Sequence, residues 1–196
     1  MIQFDTNSKI PVKKYPYILN KFIPKDIYIY DSYLSNTSYH VRYDVFCKKY
    51  VYKIDLNKKK DLIMSPYMYH YPYFLDIKNM IYSIKYIKGE HNFKGFCTNN
   101  KDFNNNFTRK IFNCELFKND KNILEFHIIA NGFLYNMIRI IVGTLLDIGR
   151  KKTNKNIFNY AIKEKNKKIL NKIAPSYGLT LTNIFYKNRG EFKYEI

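Results

Sequence analysis

One arginine stands in the most apolar stretch of the chain. Arg139 is the only formally charged residue between Glu125 and Asp147. A guanidinium in such surroundings is costly unless it meets a carboxylate or phosphate, or opens onto a polar cleft. Two readings follow from the residues themselves: a structural ion pair with an ordinary Asp or Glu, or a site arginine at a cleft. Tyr50 shares one face of an alternating run with Tyr52 and Ile54, while Val51, Lys53 and Asp55 share the other. On that periodicity alone Tyr50 is a core aromatic. Cys47, Cys97 and Cys114 are odd in number and widely spaced, which suits reduced thiols in a cytoplasm-like compartment rather than a disulfide framework. Neither they nor His40, His70, His91 and His127 have metal-ligand spacing, so no metal is expected.

The partner is suggested by charge. The chain has 34 Lys and Arg against 16 Asp and Glu, a formal charge of +18, which favours polyanions such as nucleic acid or an anionic membrane surface. Tyr, Phe, Ile, Asn and Lys all have A/T-rich codons, so a single exposed Tyr or Lys says little. The longest apolar run, Phe126 to Leu146, is interrupted by His127, Asn131, Gly132, Asn136 and Arg139, so no membrane span is expected. Nor does the N-terminus read as a signal peptide. Lys151, Lys152, Lys155 and the cluster Lys163, Lys165, Lys167 and Lys168 read as a solvated basic face that attracts RNA non-specifically.

Arg139 and Tyr50 must be positioned by the elements around them. Ile2 and Phe4 alternate with polar neighbours as in a strand already under way at residue 1, and Ile27 to Tyr33 alternates likewise. Pro11 opens a short helix over Val12 to Asn20. A long β-like run covers Tyr39 to Asp55. Asp76 caps a helix carrying Ile77, Met80, Ile81 and Ile84, with Gly89 ending the element. Lys110 to Phe117 and Ile123 to Asn131 form a hairpin around Asn119 to Asn122. Gly132 leads into the strongest helix, Phe133 to Ile148, apolar nearly all round and closed by Gly149. A helix over 154–165 and a last strand, Thr180 to Tyr186, complete the chain. Hairpin-connected strands with helices between them give an α+β fold, an antiparallel sheet with helices on one face.

At this point pattern becomes resemblance. Asn131-Gly132-Phe133-Leu134-Tyr135-Asn136-Met137-Ile138-Arg139-Ile140-Ile141-Val142-Gly143-Thr144-Leu145 is similar to the NGFLYNMVRIIVGTL motif of the tRNA pseudouridine synthase A family. Ile23-Pro24-Lys25-Asp26-Ile27 resembles its LPDDI, and Tyr39-His40-Val41-Arg42-Tyr43 its FHARY. Lys49-Tyr50-Val51-Tyr52-Lys53-Ile54 is similar to KxYxYxI, and Gly89-Glu90-His91-Asn92-Phe93-Lys94-Gly95-Phe96 to GxHDFxxF. Thr108-Arg109-Lys110-Ile111 looks like TRxI, and Ala174-Pro175-Ser176-Tyr177-Gly178-Leu179 like APxxGL. The stretches occur in the family's order and span nearly the whole chain.

The resemblance implies isomerisation of uridine to pseudouridine in the anticodon stem-loop of tRNA, without cofactor or metal. The target base leaves its stack for a pocket and is held on an aromatic ring, which in the family corresponds to Tyr50. An aspartate attacks the nucleoside, the glycosidic bond breaks, and the uracil turns and rejoins through carbon. The arginine that keeps this carboxylate ionised corresponds to Arg139. Arg42 and Arg109 match family arginines and either contact RNA phosphates or serve as ordinary surface arginines. The resemblance also implies a cytoplasmic enzyme, a homodimer when full length, and a pseudouridine synthase-like fold of two α+β halves.

The nucleophile is the exception. The family carries it in a GRTDAGVH motif just before a QxxxFDT strand, and Gln3-Phe4-Asp5-Thr6 resembles the end of that strand. No aspartate here follows Arg-Thr or precedes Ala-Gly-Val. The chain is therefore expected to be an N-terminally truncated synthase, inactive alone: 1–38 a remnant of the N-terminal half, 39–190 a complete second half, and 191–196 a loose tail. The alternative is a non-catalytic tRNA-binding protein derived from that enzyme.

Overall fold

The computed structural model describes residues 1–35, 39–98, 106–164, 169–170 and 172–186. Lys165, Lys167, Lys168, Asp102 and the expected tail 191–196 lie outside them. The chain divides into two compact units, Met1–Asp44 and Val45–Ile196.

In the first unit a 3-10 turn, Val12–Lys14, runs into a short helix, α1 (Tyr15–Leu19). Pro11 precedes the turn and Pro16 sits in the first turn of α1, where a missing N–H costs nothing. The expected strands at residues 1 and 27–33 do not form. Alternation supplies only one side of a ladder, and no partner strand pairs with either segment among the described residues. Side chains hold this unit instead. The Asn20 amide both donates to and accepts from the backbone of Ile29 at 2.9 Å. Gln3 bridges the carbonyl of Tyr39 and the N–H of Val41. Residues 41–43 form a turn, with Asp44 N–H donating to the His40 carbonyl, so the expected β-run begins only at Val45.

The second unit is a six-stranded sheet covered by helices. Its strands are β1 (Val45–Asp55), β2 (Tyr69–His70), β3 (Gly89–Asn92), β4 (Thr108–Lys118), β5 (Ile123–Ala130) and β6 (Leu179–Tyr186). β5 lies against one edge of β1 and continues to β4 and β3. The other edge of β1 pairs with β6 over Val45 to Tyr52 and with β2 at Ile54 and Asp55. The β2 pairing is parallel, so the sheet is mixed rather than wholly antiparallel. The α+β class and the β4–β5 hairpin stand as expected.

Alternation explains the packing. Leu124, Phe126, Ile128 and Ala130 of β5 are all buried and join one cluster with Tyr52, Ile54 and Leu116 from neighbouring strands. The cluster's other wall comes from α2 (Ile77–Ile84), α3 (Met137–Gly149) and α4 (Ile157–Glu164). The Asp76 carboxylate caps α2 by accepting from Asn79 N–H at 3.1 Å. Asp76 N–H in turn donates to the Gly149 carbonyl, tying the start of α2 to the end of α3. A Cβ on Gly149 would lie 2.6 Å from Met80 Sδ, so glycine permits this close crossing. Every residue of α3 except Arg139 and Asp147 is buried, as its all-round apolar sequence requires.

Candidate functional site

The strongest helix starts four residues later than its sequence suggests. Asn136 adopts a left-handed backbone (φ 61°), and only from Met137 does the chain wind. Asn tolerates this conformation better than other non-glycine residues. Residues 133–136 therefore spread along a concavity instead of forming a helical turn. Its volume is ≈ 360 Å³, and Tyr50 and Leu179 from the sheet line it together with the run Phe133 to Arg139.

The two residues singled out by sequence thus meet at one site. Tyr50 is half-buried, its ring edge-on to Phe133 at 5.2 Å and 84°. Burial pushes its phenol above the ordinary value. Opposite Tyr50, the β1–β6 register slips between Lys49 and Tyr50, leaving Thr182 as an extra residue. The Thr182 hydroxyl donates to the Lys49 carbonyl at 3.2 Å. Such a bulge bends a strand and re-aims its neighbours.

Arg139 makes no ion pair with any Asp or Glu among the described residues. Its Nε donates to the Ala174 carbonyl at 2.7 Å and its Nη1 to Asn136 Oδ1 at 2.9 Å. The structural ion pair considered from sequence is not formed among the described residues. The other charge of α3, Asp147, is paired with Lys172 at 3.0 Å.

The segment Ala174 to Leu179 acts as a strap over this site. Ala174 exchanges hydrogen bonds with Arg139, its N–H donating to the Arg139 carbonyl at 3.0 Å. The next carbonyl, of Pro175, accepts from the Tyr52 hydroxyl at 2.7 Å. A Cβ on Gly178 would lie 2.8 Å from the Tyr52 ring, so only glycine lets the strap lie flat there. Burial, with Tyr177 and Tyr69 nearby, pushes the Tyr52 phenol far up, against a smaller opposing pull from Arg139.

Arg109 sits at the edge of this region: its Nε lies 3.5 Å from where a Cβ on Gly132 would be. Its Nη1 donates to the carbonyls of Asn106 and Thr108, and burial lowers its pKa. Arg42 is exposed in the turn at the end of the first unit.

No carboxylate lines the concavity among the described residues. Asp55 is bonded to Asn57 and His70, Asp76 caps α2, Asp61 caps a turn and Asp147 pairs with Lys172. No group of three or more His, Cys, Asp or Glu is placed to hold a metal among the described residues. No helix among them is long and apolar enough to cross a membrane.

Sequence reasoning missed Asn136, Ala174 and Leu179 as parts of the site. All three lie inside motifs quoted above, but none carries a charge to mark it.

Residues 84–187 match the family described as tRNA pseudouridine synthase. The chain is 36% identical over 188 residues to tRNA pseudouridine synthase A of Geobacillus sp., covering 96% of this chain and 75% of that protein. It is 39% identical over 184 residues to tRNA pseudouridine synthase A of Caldicellulosiruptor saccharolyticus, covering 93% and 74%. The Bacillus pumilus protein of the same name is 36% identical over 96% of this chain and 75% of its own length.

Proposed function

The chain belongs to the tRNA pseudouridine synthase A family, and from that membership we propose that it acts on tRNA, holding a flipped uridine of the anticodon stem-loop in the concavity between Tyr50 and Arg139. The observation that carries this reading is the shared lining of one concavity by these two residues, one from β1 and one from α3.

The reaction is an isomerisation. The bond from N1 to the ribose C1′ breaks, the uracil turns, and C5 bonds to C1′; C5 gives up a proton and N1 takes one up. Tyr50, Phe133 and Leu179 give the base apolar walls, and stacking on an aromatic ring is worth about 1–3 kcal/mol per base. The Arg139 guanidinium, unpaired with any described carboxylate, is suited to keep an attacking carboxylate ionised. That carboxylate comes from outside the described residues lining the concavity. The formal charge of +18 supports an RNA partner, and the free cysteines Cys47, Cys97 and Cys114 support a reducing, cytoplasmic setting. Self-association as a homodimer belongs to the same proposal.

The test measures tRNA binding and pseudouridine formation by the 196 residues, with and without an added segment bearing Gly-Arg-Thr-Asp-Ala-Gly-Val-His. Binding alone, with activity appearing only on addition, is expected. Pseudouridine formed without the segment would show that a carboxylate of this chain serves as nucleophile. No tRNA binding at low salt would remove the proposal. That none of the described residues lining the concavity is a carboxylate also favours a second reading, a tRNA-binding protein without catalysis. In that case activity stays absent after addition, and Arg139→Ala leaves binding almost unchanged.

A further inference from the structure

An asparagine at the start of a helix ordinarily caps it, its side chain accepting from a backbone N–H two or three residues on. Asn136 precedes α3 and makes no such bond. Its left-handed backbone turns the amide elsewhere: Nδ2 donates to Thr98 Oγ1 at 2.9 Å, and Oδ1 accepts from Arg139 Nη1 at 2.9 Å. Arg139 Nε is meanwhile spent on the Ala174 carbonyl at 2.7 Å.

We propose that Asn136 is a positioning residue, a clamp anchored on Thr98 that fixes the plane of the Arg139 guanidinium at the mouth of the concavity. A guanidinium is planar, so bonds at Nε and Nη1 fix both its plane and its rotation. Nη2 has no hydrogen-bond partner among the described residues and is not a buried unsatisfied atom. It is therefore left to donate to a carboxylate or phosphate. The costly left-handed backbone at Asn136 is thereby linked to the site. The inference rests on the role given to Arg139 above, but its test reads the guanidinium whether or not tRNA is turned over.

Glycine accepts the left-handed backbone and lacks the amide, so Asn136→Gly separates the two roles. The measurement is a side-chain 15N NMR spectrum of the full chain, with the Arg139 signals assigned by their loss in Arg139→Lys. The native chain is expected to show distinct, slowly exchanging Nη1 and Nη2 signals. Asn136→Asp, which retains the acceptor, keeps them distinct; Asn136→Gly merges them while the unfolding midpoint stays near the native value. Unchanged Nη signals in folded Asn136→Gly would overturn the proposal. Should that variant not fold, Thr98→Val decides: faster Nη exchange supports the clamp, and a native-like spectrum refutes it. Either failure leaves tRNA as the substrate untouched.

Discussion

Arg139 and Tyr52 hang from neighbouring peptide carbonyls: Arg139 Nε donates to Ala174 O and the Tyr52 hydroxyl to Pro175 O, each at 2.7 Å. One short strap thus fixes a guanidinium in the first turn of α3 and a phenol in the second half of β1. Helix and sheet are held together beside the concavity.

Removing one of the two bonds isolates its share. Tyr52→Phe deletes the hydroxyl from a fully buried ring and leaves the Pro175 carbonyl without that donor. The cost is expected to be about 1–3 kcal/mol, measured as a shift in denaturant midpoint. The same variant has a pH signature. Burial raises the Tyr52 phenol above its unfolded value near 10, so the unfolded chain ionises first as pH rises. The stability is complete below that pH and lost above it. Tyr52→Phe should show less of this alkaline loss, and an equal loss in both proteins would refute the assignment to Tyr52.

Two glycines flanking the site, Gly143 and Gly132, should be unequal. A Cβ on Gly143 would run into the carbonyl of Lys172, a backbone atom two residues before the strap that cannot step aside without moving the chain. Gly143→Ala is expected to destabilise by about 1–3 kcal/mol. Gly132→Ala is the control, because its Cβ meets only Arg109 at ordinary contact distance of 3.5 Å. Thermal unfolding of both variants decides: equal midpoints would mean that the backbone at Lys172 yields freely.

How much of this was legible depends on what each residue displays. The β4–β5 hairpin could be read because its apolar residues alternate on both sides of an Asn-rich turn. Arg139 could be read as an anomaly because a lone charge among apolar residues needs a reason. The start of α3 could not, since an Asn inside an apolar helical pattern does not announce φ of 61°. β2 is two residues long, too short for periodicity to register, and is defined only by its parallel pairing with β1. The segments around Ile2 and Ile27 alternate but find no ladder partner among the described residues, and pattern alone never names a partner.

Acid should act through Asp55, which is 3% exposed. Burial alone would raise its pKa. The backbone N–H of Asn57, the His70 ring and the Asn57 amide more than offset this, and its carboxyl titrates below the ordinary value. A depressed carboxyl contributes stability that is present above the unfolded pKa, about 4, and lost as pH falls through the folded one. Asp55→Asn should therefore flatten the acid side of the stability curve below about pH 4. Parallel slopes for the two proteins would show that other carboxyls dominate.

Arg109 offers a test of phosphate contact apart from base holding. If it reaches a phosphate, Arg109→Gln weakens tRNA binding and lowers the slope of log affinity against log salt by roughly 1. A reduced affinity with an unchanged slope would instead mean that the variant disturbed the packing against Gly132.

Tyr50 gives the sharpest contrast, because its hydroxyl and its ring have separable roles. The hydroxyl makes no hydrogen bond among the described residues and its ring stands edge-on to Phe133. Tyr50→Phe should leave stability within about 0.5 kcal/mol of native, as expected where no such interaction is lost, and keep the surface on which a base stacks. Tyr50→Ala removes that surface and should cost about 1–3 kcal/mol of tRNA affinity, roughly 5-fold to 150-fold in Kd. Titrating labelled tRNA against the native chain and both variants at one salt concentration reads the difference directly. Native affinity in Tyr50→Ala would show that the ring holds no base, and an equal loss in both variants would assign the contact to the phenol oxygen.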